Sequence, residues 1–262
     1  MGSATTQALA ASVKALDAHT LDLATARDLF AAARAVSEST QLAGALSDSA
    51  APVAAREQVV KAVFGSALGA VAVDVLTTVA AQRWSDSAGL ADGIEELAIR
   101  AASAADANAD IEGELFGFSR TIAQNPDLEL ALGSRLGQSA AKGALVEKLI
   151  GAAAAPATTL IVSSLVQLPR ERRVRQLLNR AMDIVSAQRG RTVATVVSAA
   201  PLNDEQSKRL TAALAAKYGS GVTLNTVIDP TVVGGLRVQI ADDVIDGSIS
   251  SRLADVRYKL IG

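Results

Sequence analysis

A repeat with a fixed spacing constrains this chain more than any other feature of its sequence. Leu29-Phe30 is followed 86 residues later by Leu115-Phe116, and Val36 by Ile122 at the same distance. Leu42 and Leu46 recur as Leu128 and Leu132, Arg56 as Lys142, Val59-Val60 as Leu145-Val146, and Phe64-Gly65 as Ile150-Gly151. A single apolar pair matches easily by chance, but a constant offset without gaps does not. The first three quarters of the chain are therefore expected to be a tandem duplication.

Each copy reads as helices. Val59, Val60, Val63 and Phe64 fall on one stripe, as do Leu145, Val146, Leu149 and Ile150. Pro52 stands where a first helical turn tolerates a missing N–H, and Asn125-Pro126 ends one helix and starts another. Composition agrees: half of the 262 residues are hydrophobic but only 3% are aromatic, and small or straight side chains favour close helix packing. The first copy reads from about Ala4 to Ala107, which is longer than the repeat spacing, so the copies must overlap by about one helix. Ala88–Ala107 is expected to close the first bundle and open the second, joining them as a stiff rod.

Leu149–Leu168 carries no charge and is long enough to be weighed as a membrane span. Gly151 and Pro156 interrupt it, Thr158, Thr159, Ser163, Ser164 and Gln167 dilute it, and its image in the first copy, Val63–Gln82, holds Asp74. Two helices meeting at Pro156 account for it better than a span. The N-terminus has neither the basic start nor the apolar run of a signal peptide.

From Thr192 the period changes from helical to alternating. Thr192–Val197 reads as a buried strand, and Val222, Leu224, Thr226 and Ile228 alternate with more polar residues, as do Leu236, Val238 and Ile240. Between them Asn203 and Gln206 have capping-box spacing before a helix carrying Leu210, Leu214 and Tyr218 that stops at Gly219. Asp242-Asp243 is read as a turn before Val244-Ile245. A last helix is expected after Asp246-Gly247-Ser248, with Ile249, Leu253, Val256 and Leu260 on one face. The fold expected is mainly α with a C-terminal α+β domain: two tandem helical bundles sharing a helix over 1–106 and 107–190, then a small mixed sheet with helices over 191–262.

Three segments of that last quarter carry a family resemblance. Val196 to Leu202, with Ser198-Ala199 and Pro201-Leu202, is similar to the pattern V-x-S-A-x-P-L of the delta subunit family of F-type ATP synthases. Asp229-Pro230 followed by Gly234-Gly235 resembles its D-P-x-x-x-G-G signature, and Asp246-Gly247-Ser248 before Arg252-Leu253 its ending D-G-S-x-x-x-R-L. The three are specific as an ordered set. Physically they are turn chemistry: the paired glycines suit a tight reversal, and Asp246 and Ser248 suit a helix cap. The second copy looks like the family's ordinary helical bundle, with Arg170 where members often carry arginine. The extra copy in front resembles the long delta chains of high-GC bacteria.

The resemblance implies a peripheral-stalk, or stator, subunit that is not itself an enzyme and needs no cofactor. It implies one copy per complex, on the cytoplasmic face of the bacterial plasma membrane and not inserted in it. The family, which includes the mitochondrial oligomycin sensitivity-conferring protein, links the top of the alpha/beta head to the b subunit so that the head resists rotor torque. The partners implied are the N-terminal helices of the alpha subunits and the C-terminal end of b, with the beta subunit as a further candidate. Alpha contacts near the first and fifth bundle helices point to Leu9, Val13, Val71 and Val75 in the first copy. In the second they point to Ile94, Leu97, Leu160 and Leu165. The b contact points to Leu253, Val256 and Leu260. A helical adaptor outside the ATP synthase is the alternative.

The residues themselves offer no catalytic, cofactor or metal constellation. There is no cysteine, no phosphate loop, and one histidine, His19, expected in a solvated loop. A net charge of −2 gives no overall attraction to nucleic acid. The basic run Arg170, Arg172, Arg173, Arg175 and Arg180 lacks neighbouring aromatics, and is expected to be a solvated helix face or a dock for an acidic helix. Trp84 is expected to plug a bundle end.

Overall fold

The computed structural model describes residues 2–134, 138–170, 172–218, 221–230, 232, 234–240 and 243–247. Contacts divide the chain into two compact units, 1–185 and 186–262.

The helical unit begins with α1 (Ser3–Leu16), α2 (Leu23–Glu38), α3 (Thr40–Ser47), α4 (Val53–Phe64), α5 (Ala70–Ala81) and α6 (Ser87–Ala105). It continues with α7 (Ile111–Gln124), α8 (Pro126–Gly133), α9 (Ser139–Ile150), α10 (Pro156–Gln167) and α11 (Val174–Gln188). Shifting α3, α4 and α5 by the repeat spacing gives the limits of α8, α9 and α10 to the residue. The same shift carries α2 onto α7, α1 into α6, and α6 onto α11. The duplication is thus one of elements, with α6 serving as sixth helix of the first copy and first helix of the second.

The repeated apolar residues are the reason. Leu29 and Leu115, Val36 and Ile122, Leu46 and Leu132, and Val60 and Val146 are all buried, each at most 2% exposed. Both copies contribute to a single continuous core. Even the repeated basic position is buried in both: Arg56 donates from Nη1 to the Gln82 carbonyl at 2.7 Å, and Lys142 donates to the Ser134 carbonyl.

One unbroken helix spans the joint where the copies overlap. Asp86 caps α6 by accepting from the Gly89 N–H at 2.6 Å. The helix packs on α1, α2, α3, α5 and α10, and from Leu90 to Ser103 only Asp92 and Arg100 keep appreciable exposure. A helix buried around its circumference is an internal element, not a surface one. Near the other ambiguous window, α9 ends at Ile150 and α10 starts at Pro156, with Thr158, Ser163 and Ser164 buried in α10. No helix among the described residues is long and apolar enough to cross a membrane.

The second unit comprises β1 (Arg191–Ser198), α12 (Asp204–Tyr218), β2 (Gly221–Ile228), β3 (Leu236–Ile240) and β4 (Asp243–Asp246). The sheet order is β2-β1-β3-β4, with β1 and β2 parallel and the other two pairings antiparallel. Parallel neighbours need a crossover, and α12 supplies it. Its start is a reciprocal capping box: the Asn203 N–H donates to Gln206 Oε1 at 3.0 Å, and the Gln206 N–H to Asn203 Oδ1 at 2.8 Å. Ala194, Val196, Leu214, Val222, Val238 and Ile240 make a small core. Gly219, Asp242, Ser248 and the helix expected after it lie outside the described residues.

Candidate functional site

Of the eight residues on first and fifth helices expected to meet a partner helix, half belong to the chain's own core. Val75, Ile94, Leu97 and Leu165 are buried. A side chain with no surface offers a partner nothing unless the bundle opens, so these four act as core. Leu9, Val13 and Leu160 are half-buried and lean on the core, and Val71 is half-buried on α5. Leu253, Val256 and Leu260 lie outside the described residues.

The first copy presents its first and fifth helices as a pair. α1 packs against α5, leaving Leu9 and Val13 on one and Val71 on the other partly open. His19 sits in the turn after α1 and its Nε2 lies 2.9 Å from Asp74 Oδ2, tying that turn to α5. It is a bonded surface histidine, not a free one.

The corresponding pair in the second copy, α6 and α10, is covered. The counterparts of Leu9 and Val13 at the repeat spacing are Glu95 and Ile99, and both are buried. The cover is ionic. Arg170 Nη2 donates to Glu95 Oε2 at 2.8 Å and reaches Asp92 Oδ1 at 2.6 Å. Arg172 Nη2 donates to both Glu95 oxygens at 2.9 Å, and Arg180 lies 3.7 Å from Asp92 and from Glu96. Three of the five arginines expected as a solvated face or a dock for an acidic helix therefore turn inward, and the acidic helix they meet is α6 of the same chain. Arg170 holds a positive φ of 45°, an uncommon conformation for a side-chain-bearing residue that persists where neighbours over-determine it.

Each copy also positions its fifth helix with an acid from its second. Asp28 Oδ2 accepts from the Gly69 N–H at 2.7 Å, at the start of α5. The Glu114 carboxylate accepts from the Ala155 N–H at 3.0 and 3.1 Å and from the Thr158 hydroxyl, at the start of α10. Both members of the two bonds are related by the repeat spacing. The signal was present in the sequence as an acidic match, but the glycine and alanine opposite it carry none. In the first copy, Trp84 closes a bundle corner. Its indole N–H donates to the Val79 carbonyl at 2.9 Å, and its ring lies so close over Gly93 that a Cβ there would meet Cη2 at 2.3 Å.

In the second unit the motif segments converge at the carboxyl ends of the parallel strands. The Ser198 hydroxyl donates to the Ala200 carbonyl at 2.7 Å, and the Asp229 N–H donates to the Ser198 carbonyl at 2.8 Å. Gly234 and Gly235 hold φ of 67° and 81°, the left-handed geometry that turns the chain from β2 into β3. Pro201, Leu202, Leu210 and Leu236 with Gly235 and Arg209 line a groove of about 700 Å³ there. Asp246 ends β4 with its carboxylate 3.0 Å from Arg237 Nη2, and the Gly247 N–H donates to the Leu236 carbonyl at 2.8 Å. Pro230 is the exposed-side turn residue after β2. These contacts build the fold; none sets an acid beside a base and a nucleophile. Among the described residues no cluster of histidine, aspartate and glutamate could hold a metal ion.

A family model described as the ATP synthase delta (OSCP) subunit matches residues 96–260. The match begins inside α6 and takes in the second copy and the C-terminal unit. An ATP synthase subunit delta from Leifsonia xyli is 51% identical over all of both chains. One from Streptomyces avermitilis is 39% identical over 98% of this chain and 97% of its own. A chain in the Toxoplasma gondii mitochondrial ATP synthase hexamer covers 64% of this chain at 19% identity, with a TM-score of 0.40.

Proposed function

Because the chain belongs to the ATP synthase delta (OSCP) subunit family, we propose that it works as a two-ended adhesive in the peripheral stalk. The stator role is that of the family: the subunit ties the alpha/beta head to the stalk so that the head resists rotor torque. In this chain residues 1–106 are the added bundle, 107–190 the family's usual bundle, and 191–262 the domain that holds the distal end of b. The work is mechanical and the chain does no chemistry of its own. It acts at the cytoplasmic face of the membrane, one copy per complex.

The observation that carries the finer reading is the unequal state of the two first-and-fifth helix pairs. α1 and α5 leave Leu9, Val13 and Val71 accessible, whereas Glu95 and Ile99 at the matching places on α6 are buried. An alpha-subunit N-terminal helix would therefore lie on the first copy, with anchors at helical spacing. In the second copy Leu160 is the accessible candidate on α10. Several modest contacts on one chain reinforce one another through effective concentration.

Pull-down of the full chain from a gently solubilised membrane fraction, read by mass spectrometry, tests the assembly: alpha, beta and b chains should travel with it. Binding of a synthetic alpha N-terminal peptide tests the site. Leu9→Ser with Val71→Ser should weaken it about tenfold or more, the loss expected of two truncated apolar anchors, and Leu160→Ser should weaken it less. Unchanged affinity in the double variant, with an unchanged melting curve, would remove the site from the first copy.

A further inference from the structure

The two copies differ in chemistry at one corner, and there the second copy is open. A groove of about 490 Å³ runs between α8 and the segment leading into α11, lined by Leu130, Pro169 and Val174 with Glu129, Arg172 and Arg173 at its lip. Leu130 is 73% exposed, the most exposed of the large hydrophobic side chains among the described residues. At the repeat spacing the first copy has Gly44 in its place, and Asp86 and Ser87 in place of Arg172 and Arg173. A Cβ at Gly44 would meet nothing within 4 Å, so space did not forbid a side chain there. The second copy therefore adds an exposed leucine and two cations where the first copy has none.

The lip is held rigid. Arg172 is fixed on Glu95, and Arg170 just before it is fixed on Asp92 and Glu95. Arg175 lies 3.3 Å from Glu129, which leaves the exposed Arg173 guanidinium without a partner among the described residues. The apolar lining accepts aliphatic side chains, and the one cation at the rim unpaired among the described residues, Arg173, selects against a basic visitor.

We propose that this groove docks an acidic amphipathic helix of another polypeptide in the assembly, seated on Leu130 and paired through Arg173. The site is separate from the first-and-fifth helix pair. It rests on the reading of the chain as a stalk subunit.

The chain has no cysteine, so Leu130→Cys and Gly44→Cys each give a single thiol for a benzophenone label in the purified ATP synthase. Photolysis at position 130 should join the chain to one segment with at least two carboxylates and apolar residues three or four apart. The yield should exceed that at position 44 about fivefold. Adding Arg173→Glu should cut it about fivefold, and Arg173→Lys should largely keep it, since an exposed charge pair is worth roughly a factor of that size. Equal yields at 130 and 44, a product on lipid or on a segment without carboxylates, or indifference to Arg173→Glu would overturn the proposal. If the labelled chain still travels with the alpha and beta subunits in those cases, the stalk reading stands and only the groove fails. If it does not travel with them, the stalk reading fails first.

Discussion

Asp28 and Glu114 do the same task in the two copies with side chains of different length. Each reaches from the second helix of its copy to the first N–H groups of the fifth, where orphan donors and the helix dipole favour a carboxylate. Glu114→Ala should destabilise the chain by about 1–2 kcal/mol and Asp28→Ala by about 1 kcal/mol in urea unfolding, because the glutamate also loses the Thr158 hydroxyl. Asp22 makes a local cap at the start of α2, and the Thr25 N–H and hydroxyl hold its carboxyl below the usual carboxylate range. A depressed folded-state value contributes stability above the unfolded value and loses it as pH falls through the folded one. The difference in melting temperature between the parent and Asp22→Ala should accordingly be constant near neutrality and shrink in acid. Local caps of this kind are legible in sequence, as Asn203 and Gln206 were, because both partners lie within one turn. The Glu114 bond was not, because its partner lies 41 residues away.

At the scale of elements, α6 is where two bundles meet, and the ion pairs on it decide how firmly. Glu95 is buried and shared by Arg170 and Arg172. Removing it takes both close bonds from Arg172 and leaves Arg170 with Asp92 alone, so Glu95→Ala should cost about 3 kcal/mol, the low end for a broken buried pair. Glu129→Ala, which breaks the half-exposed contact with Arg175, should cost no more than about 1 kcal/mol. Chemical unfolding of the two variants side by side measures the contrast. The helices themselves were legible, including the single helix across the overlap, because the repeat spacing is shorter than the copy. The direction in which the basic run points was not. In sequence those arginines stand beside Glu171 and Asp183, and only packing brings them to Asp92 and Glu95.

At the scale of the whole molecule, the family match from residue 96 onward suggests a chain that has no need of its first copy. The packing says otherwise. α6 is covered by α1, α2, α3 and α5, so a chain shortened to 87–262 would expose that side of a helix built to be internal. Such a chain should self-associate and bind a hydrophobic dye, as sedimentation and fluorescence would show, whereas the full chain should do neither. By itself the sequence determined the duplication, the places of the helices, the alternation of β3 and the turn motifs, since each depends on residues near one another or on a constant offset; the alternation expected of β2 fails, for Asn225 is buried and Ile228 exposed. Only the tertiary structure decided which apolar residues were left over. Ile94, Leu97, Val75 and Leu165 have the spacing of a partner-binding stripe, but periodicity shows that a face is apolar without showing what covers it. The shared helix used up both of its faces inside the molecule. What remained outside was Val63 with the half-buried Leu9, Val13 and Val71 on one copy, and Leu130, Leu145 and Leu149 with Arg173 on the other.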